Sequence, residues 1–252
     1  MKYYQKLCKL GIFNLNQAAR IINNDNPVQT LSSYVKSGFV RKIKHNLYIC
    51  VDLASGNDIL DKDFIASNIN NNSFLIAHSA FQFYGFYNQV FNNCQVGSLN
   101  KFKNFKYDGI NYECFLFDTL KQVEIIRGIK VTSIERAIVD SINLIGKVMD
   151  LEELLKCLDI IPLVNENKLK EMLLEYNKDI LYRKVGYILS YFKNEFNLSS
   201  SFFDFCLEHS NQNNRGKISN YELSKLEYIP KWHLYAYKNL LKIIDKGSEI
   251  DA

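Results

Sequence analysis

The chain has 252 residues, of which 47% are hydrophobic and only three are proline, so it is long enough for one or two folded domains and too apolar for extended disorder. Six scattered cysteines form no CxxC pair and four histidines lie apart, which predicts reduced thiols and neither a metal nor a cofactor. No secretory leader and no membrane span are evident, so we expect a cytoplasmic protein without a membrane partner.

Basic residues concentrate at the N-terminus. Residues 1–50 contain eight Lys or Arg and one acid, whereas the rest of the chain contains 23 basic and 26 acidic residues. A basic segment on a mildly acidic body favours contact with a polyanion such as nucleic acid. The alternative is a solvated surface on which charge is unevenly spread.

Three short helices are predicted in this basic segment. The first covers residues 3–10 and the second residues 14–22, where apolar side chains follow helical spacing. Asn26 followed by Pro27 gives a third helix an N-cap and a proline at its first position, and Gly38 ends it. The spacing therefore predicts two helices joined by a short turn and preceded by a third.

A basic hairpin is predicted next, with two strands around a turn at His45-Asn46. Helix, turn, helix and hairpin in this order are typical of a winged helix-turn-helix, so residues 1–52 are predicted to be a DNA-binding domain. Gln29 can pair bidentately with adenine and is the best candidate for a base contact. The full set of predicted DNA contacts is Gln29, Thr30, Ser32, Ser33, Lys36, Arg41, Lys42, Lys44 and His45.

A linker is predicted at residues 52–61, followed by a larger, helix-rich domain over residues 62–246. The expected class is therefore α+β. Strands are predicted at about 91–96, 112–117, 123–131, 216–223 and 232–237, and helices at about 63–69, 78–84, 134–144, 150–158, 166–176, 179–194 and 200–209.

Patterns for catalysis are weak, and we predict that the protein is not an enzyme. His78-Ser79 lacks the glycines of a nucleophile elbow, and the chain has no phosphate-binding glycine motif. Arg136 and Asp140 are four residues apart on one helix, which favours an intrahelical ion pair over a catalytic pair. Asp108 and Glu113 lie near a predicted strand, but Cys114-Phe115 follows where a metal-dependent nuclease would be expected to have a lysine.

Several segments resemble, in the same order, the AbiEi antitoxin family of phage-defence toxin–antitoxin systems, whose members are also described as viral-defence transcriptional regulators. FNLNQAARII and LSSYVKSGFVRKIKHNLYIC are similar to its winged domain, and HSAFQFYGF, SIERAIVD and LYRKVGYILSYF to its later blocks. The resemblance covers most of residues 5–195. Where the family often has Arg-Gly before a tyrosine of the wing, this chain has His45-Asn46-Leu47 before Tyr48.

The resemblance implies a repressor that binds inverted repeats at its own promoter, where copies can associate on the DNA. It also implies an antitoxin whose C-terminal region opposes a nucleotidyltransferase-like toxin without a stable complex. Arg183 and Lys184 are expected outward residues for that role. Two alternatives stay open: a defence effector that cleaves or modifies nucleic acid through Asp108 or Glu113, and a docking module that does not bind DNA.

Overall fold

A computed structural model of the chain describes residues 2–211, 214–219 and 226–243. The protein is of the mixed α+β class, as predicted. It forms two compact units, each assembled from separate stretches of the chain. The first unit contains residues 1–75, 91–120 and 125–130, and the second contains residues 76–90, 121–124 and 131–252. The predicted boundary near residues 52–62 therefore falls inside the first unit, and the predicted end of the second domain, residue 246, lies outside the described residues.

Residues 4–50 of the first unit, which we call the head, contain six elements. In chain order these are α1 (Tyr4–Cys8), β1 (Ile12–Phe13), α2 (Leu15–Ile21), α3 (Pro27–Lys36), β2 (Val40–Lys44) and β3 (Leu47–Cys50). The strands form an antiparallel sheet in the order β1-β3-β2. The three helices and the hairpin were predicted from the sequence, and β1 was not.

Side-chain caps fix where α2 and α3 begin. Asn14 accepts a hydrogen bond from the Gln17 backbone N–H at 2.9 Å, and the Gln17 side chain accepts one from the Asn14 N–H at 2.8 Å. This reciprocal capping box satisfies N–H groups that the helix cannot pair internally. At α3, the Asn26 side chain accepts from the Gln29 N–H at 3.0 Å, and Pro27 is the first helical residue, as predicted.

A cluster of buried apolar side chains holds the head together. A β-bulge between Lys42 and Lys44 allows Val40 and Ile43, three residues apart, to be buried on the same strand. Each fully buried aliphatic side chain stabilises the fold by roughly 1.5–3 kcal/mol. The cluster consists of Leu7, Phe13, Ala18, Ile22, Leu31, Val40 and Cys50.

The segment predicted as a linker is folded against the head. Val51 forms a β-bridge with Asp58, and the Asp52 N–H donates to the Asn57 carbonyl at 2.7 Å. The Asp58 carboxylate also pairs with Arg41 at 3.2 Å and accepts from the Tyr107 hydroxyl at 2.7 Å. Residues 52–61 therefore form a tight loop that belongs to the first unit.

A six-stranded sheet follows, with strand order β6-β7-β5-β4-β9-β8. Its strands, with the helix that precedes them, are α4 (Lys62–Ser67), β4 (Ser73–Leu75), β5 (Asn93–Ser98), β6 (Phe105–Tyr107), β7 (Ile110–Leu116), β8 (Val123–Ile126) and β9 (Ile129–Thr132). β5 and β7 run parallel, and β6 pairs with β7 as an antiparallel hairpin. The sequence predicted β5, β7 and the β8–β9 turn, but not the three-residue strands β4 and β6.

Helices dominate the second unit. They are α5 (Ala77–Tyr84), α6 (Ile134–Asn143), α7 (Leu151–Ile160), α8 (Glu166–Tyr176), α9 (Asp179–Leu189) and α10 (Ser200–Glu208), followed by the short strands β10 (Gly216–Lys217), β11 (Glu227–Ile229) and β12 (Leu234–Ala236). Residues 220–223 of the predicted strand at 216–223 lie outside the described residues.

A buried polar network lies within this unit. The Arg136 side chain is fully buried and pairs with Asp140 on the same helix at 3.3 Å, so the predicted intrahelical pair is confirmed. The Tyr176 hydroxyl donates to Asp140, and Arg136 donates to the Lys121 carbonyl. Burial raises the pKa of Asp140 to about 6, although Arg136 and Tyr176 act to lower it. The network therefore joins α6 to α8 through groups whose polar atoms are paired.

Candidate nucleic-acid interface

Helix α3 presents one apolar face and one polar face. Leu31 is buried in the head cluster, with Tyr34 and Val35 packed against it. The opposite face exposes small or flexible polar side chains, which allow close approach to another molecule and offer hydrogen-bonding groups. The exposed residues of this face are Gln29, Ser32, Ser33 and Lys36.

Thr30 differs from the other residues predicted on this face. It is half-buried, and its hydroxyl donates to the Asn26 carbonyl at 3.2 Å while accepting from the Asn24 side chain at 2.8 Å. These bonds hold the turn between α2 and α3. Thr30 therefore positions the start of α3, and its hydroxyl is already engaged within the protein.

The basic residues of the hairpin lie in different environments. Lys42 and His45 are exposed to solvent. Arg41 instead pairs with Asp58 and donates to the Gly56 carbonyl at 2.7 Å. The Lys44 ammonium lies 4.9 Å from the centroid of the Phe102 ring and 5.2 Å from that of Phe105, and its partial burial lowers its pKa. Arg41 and Lys44 thus anchor the hairpin, whereas Lys42 and His45 are presented to the outside.

The tip of the hairpin is fixed to α2. Asn46 adopts a left-handed conformation with φ of 56°, and its side chain accepts a hydrogen bond from the Leu15 N–H at 2.9 Å. That N–H belongs to the first turn of α2, where no helical partner exists. A hairpin tip held in this way loses little conformational entropy when it binds a partner.

A cleft of about 840 Å³ lies beside the hairpin tip, within the first unit. Its walls come from the tip, the start of α2, an asparagine-rich loop at residues 68–72, and Lys130. The Lys130 ammonium donates to the Asn71 carbonyl at 2.9 Å, and burial lowers the pKa of Lys130. None of the described residues that line the cleft is acidic. Amides and ammonium groups without carboxylates suit the phosphates of a nucleic acid backbone.

Arg183 does not occupy the outward position predicted for it, and that prediction is wrong. The side chain is 3% exposed, pairs with Asp179, and donates to the carbonyls of Asn214 and His233 at 2.6 and 3.1 Å. It therefore joins α9 to the chain beside β12. Lys184 is half-buried, and burial lowers its pKa.

Three side chains of the kinds that bind metal ions lie close together, although the sequence analysis predicted no metal. In the described parts of the chain, one group of three or more His, Cys, Asp or Glu residues has ligand atoms within 4.8 Å of one another: His78, Glu153 and Cys157. Asp108 lies in the β6–β7 turn and Glu113 lies on β7, and neither belongs to this group. Glu153 and Cys157 are four residues apart on α7, but His78 lies far from them in sequence, so no short spacing could have revealed the whole cluster.

Comparison with known proteins gives a likeness of fold. No protein-family model matches the chain, and no curated protein sequence does. Among solved structures, the crystal structure of the RV2827C protein from Mycobacterium tuberculosis is similar, with a TM-score of 0.68 over 98% of this chain and 94% of that chain. The two sequences are 9% identical, so the match shows a shared fold and leaves function to other arguments. Among the described helices, none has the length and apolar character that crossing a bilayer requires.

Proposed function

We propose that the protein is a DNA-binding transcriptional regulator and that the head is its winged helix-turn-helix. The observation that carries this proposal is the capped helix α3 with an exposed polar face, followed directly by a basic hairpin whose tip is fixed to α2. In winged helix-turn-helix proteins the corresponding helix enters the major groove. The charge excess of residues 1–50 supports the same function.

The exposed residues of the head fall into two groups with different proposed roles. Gln29, near the start of α3, and Ser33, one turn further along the same face, are both exposed, and we assign them the reading of base edges. We assign Lys36, Lys42 and His45, which are also exposed, to phosphate contacts, and such contacts position a protein on DNA without reading its sequence. The carboxylate-free cleft beside the hairpin tip extends this basic surface toward Lys130, so a backbone strand passing the wing would meet amides and an ammonium group.

The resemblance to AbiEi antitoxins extends the proposal to phage defence. On this basis the protein represses its own operon and opposes a nucleotidyltransferase-like toxin, and the second unit carries the antitoxin role. The buried position of Arg183 removes it from the candidate contacts of that unit. Lys184 remains as a half-buried candidate.

Fluorescence anisotropy with the full-length chain tests the DNA-binding proposal. We expect tighter binding to duplex from the protein's own promoter than to random duplex, with an affinity that falls steeply as salt rises. Gln29→Ala should cost about 1–3 kcal/mol on the promoter and little on random DNA. Gln5→Ala, which removes an exposed glutamine from α1, is the matched control and should change neither. Absence of binding to any duplex at low salt would refute the proposal.

A further inference from the structure

Three chemically different metal ligands meet inside the second unit. His78 lies at the start of α5, and Glu153 and Cys157 lie one turn apart on α7. The His78 Nε2 atom is 3.2 Å from Glu153 Oε1, and the Cys157 sulfur is 3.6 Å from the same oxygen. Their exposed fractions are 1%, 4% and 0%. Because these side chains come from two helices that both contact α6, their spacing is a property of the fold.

The spacing fits a tetrahedral ion. Zn²⁺ binds nitrogen and oxygen at about 2.0–2.2 Å and thiolate sulfur at about 2.3 Å, which places N and O ligands about 3.3 Å apart and O and S ligands about 3.5 Å apart. The observed separations of 3.2 and 3.6 Å are close to these values. Imidazole with thiolate is also a ligand pair that favours zinc over magnesium or calcium. We propose that His78, Glu153 and Cys157 bind one Zn²⁺ ion, with a fourth coordination position left for a non-protein ligand such as water.

Charge and surroundings are compatible with this assignment. A Zn²⁺ ion with one thiolate, one carboxylate and one neutral imidazole has no net charge, which limits the cost of burying the site. The Gln89 side-chain amide donates to Glu153 Oε2 at 3.1 Å, and the Asn88 backbone N–H bonds to the Cys157 sulfur. Both bonds would orient and stabilise anionic ligands. Asn88 and Gln89 are exposed, so the segment that bonds to the two anionic ligands lies at the surface.

Zinc binding at this site releases the thiol proton of Cys157 to solvent. The ion must displace this proton as the Zn–S bond forms, because zinc coordinates the thiolate rather than the thiol.

Metal analysis of the purified full-length protein tests the assignment. After growth with added zinc, we expect about one zinc per chain by plasma mass spectrometry, and removal by a chelator should lower the melting temperature. Adding Co²⁺ to the stripped protein should produce a sulfur-to-cobalt charge-transfer band and the visible spectrum of a tetrahedral site. Protein that takes up neither ion, and whose melting temperature is the same with and without zinc, would show that the cluster is an ion pair with a hydrogen-bonded thiol.

Substitution of the proposed ligands tests whether the ion binds at this cluster. Cys157→Ser should abolish the charge-transfer band, and His78→Asn should reduce zinc to well below one equivalent. Cys206→Ser is the matched control, because Cys206 is also a buried cysteine of the second unit but lies outside the cluster, so this variant should keep the zinc even if it melts earlier. Zinc that persists in both Cys157→Ser and His78→Asn would overturn the site. This outcome is independent of whether the head binds DNA.

Discussion

The Asp63 carboxylate lies in the first turn of α4, where it is half-buried. Burial raises its pKa from an ordinary value of 3.8 to about 6, with Lys62 opposing the shift and Asp61 adding to it. A folded-state pKa above the unfolded value means that the folded protein binds the proton more tightly. The stabilising contribution is therefore complete below about pH 4 and is lost as the pH rises through 6.

Asp63→Asn should remove this pH dependence. Because the side chain is partly exposed, we expect the variant to be more stable than the wild type by about 1–3 kcal/mol at pH 7.5 and about equal to it at pH 4. Urea unfolding at both values measures the difference. Asp118→Asn, at an exposed position of the same unit, should show no comparable change between the two pH values. An equal effect of Asp63→Asn at both would contradict the expected titration.

Individual residues also show which local features a sequence reveals. Asn26 and Pro27 start α3 as predicted, because capping depends on a few consecutive residues. Arg183 was expected on the outside because charged side chains are usually exposed. Its partners, the carbonyls of Asn214 and His233, come from distant parts of the chain, so local sequence does not reveal them.

Lys42 and Lys44 of the β2–β3 hairpin were both predicted to contact DNA, but their substitution should have different effects. Lys42→Ala should weaken binding to promoter and random DNA equally and reduce the log–log salt slope by about 1, because phosphate contacts release counterions. Lys44→Ala should change that slope less and instead lower the free energy of unfolding by about 0.5–1 kcal/mol, since the ammonium contacts the Phe102 and Phe105 rings.

Lys9→Ala provides the control for this comparison, because Lys9 is an exposed basic residue at the end of α1. Anisotropy titrations at several salt concentrations measure the slope, and thermal unfolding measures stability. If Lys9→Ala and Lys42→Ala reduced the slope equally, general charge rather than the hairpin would account for the binding.

Helices and strands could be predicted where their sequence pattern was local and extended over enough residues. Helix α8 has the predicted bounds, because its apolar positions repeat over three turns and Asn165 caps it. β1, β4 and β6 have two or three residues each, too few for an alternating pattern, and they exist because neighbouring strands pair with them. The tight loop at residues 52–61 was predicted to be a linker from its small and polar residues, but it is fixed by a β-bridge and an ion pair.

Because the loop at residues 52–61 is folded against the head, an isolated head fragment should need these residues for its full stability. A fragment ending at residue 55 lacks Asp58, the partner of Arg41, and Ile59, which packs on the head cluster. A fragment ending at residue 61 retains both and should be more stable by roughly 1–2 kcal/mol. Circular dichroism melts of the two fragments measure this difference. Asp58→Ala in the longer fragment should remove part of the gain, and equal melting temperatures would show that the loop contributes nothing.

Stretches of the two units alternate along the chain, and this order affects folding during synthesis at the ribosome. Residues 1–75 emerge first, but the first unit also needs residues 91–120 and 125–130, and residues 76–90 between them belong to the second unit. Helix α5 therefore leaves the exit tunnel well before α6 to α10, which belong to the same unit. Domains generally fold as units. The side chains of α5 that are buried in the folded protein therefore stay exposed during that interval. A nascent chain stalled there would present an apolar helix to chaperones and to neighbouring chains.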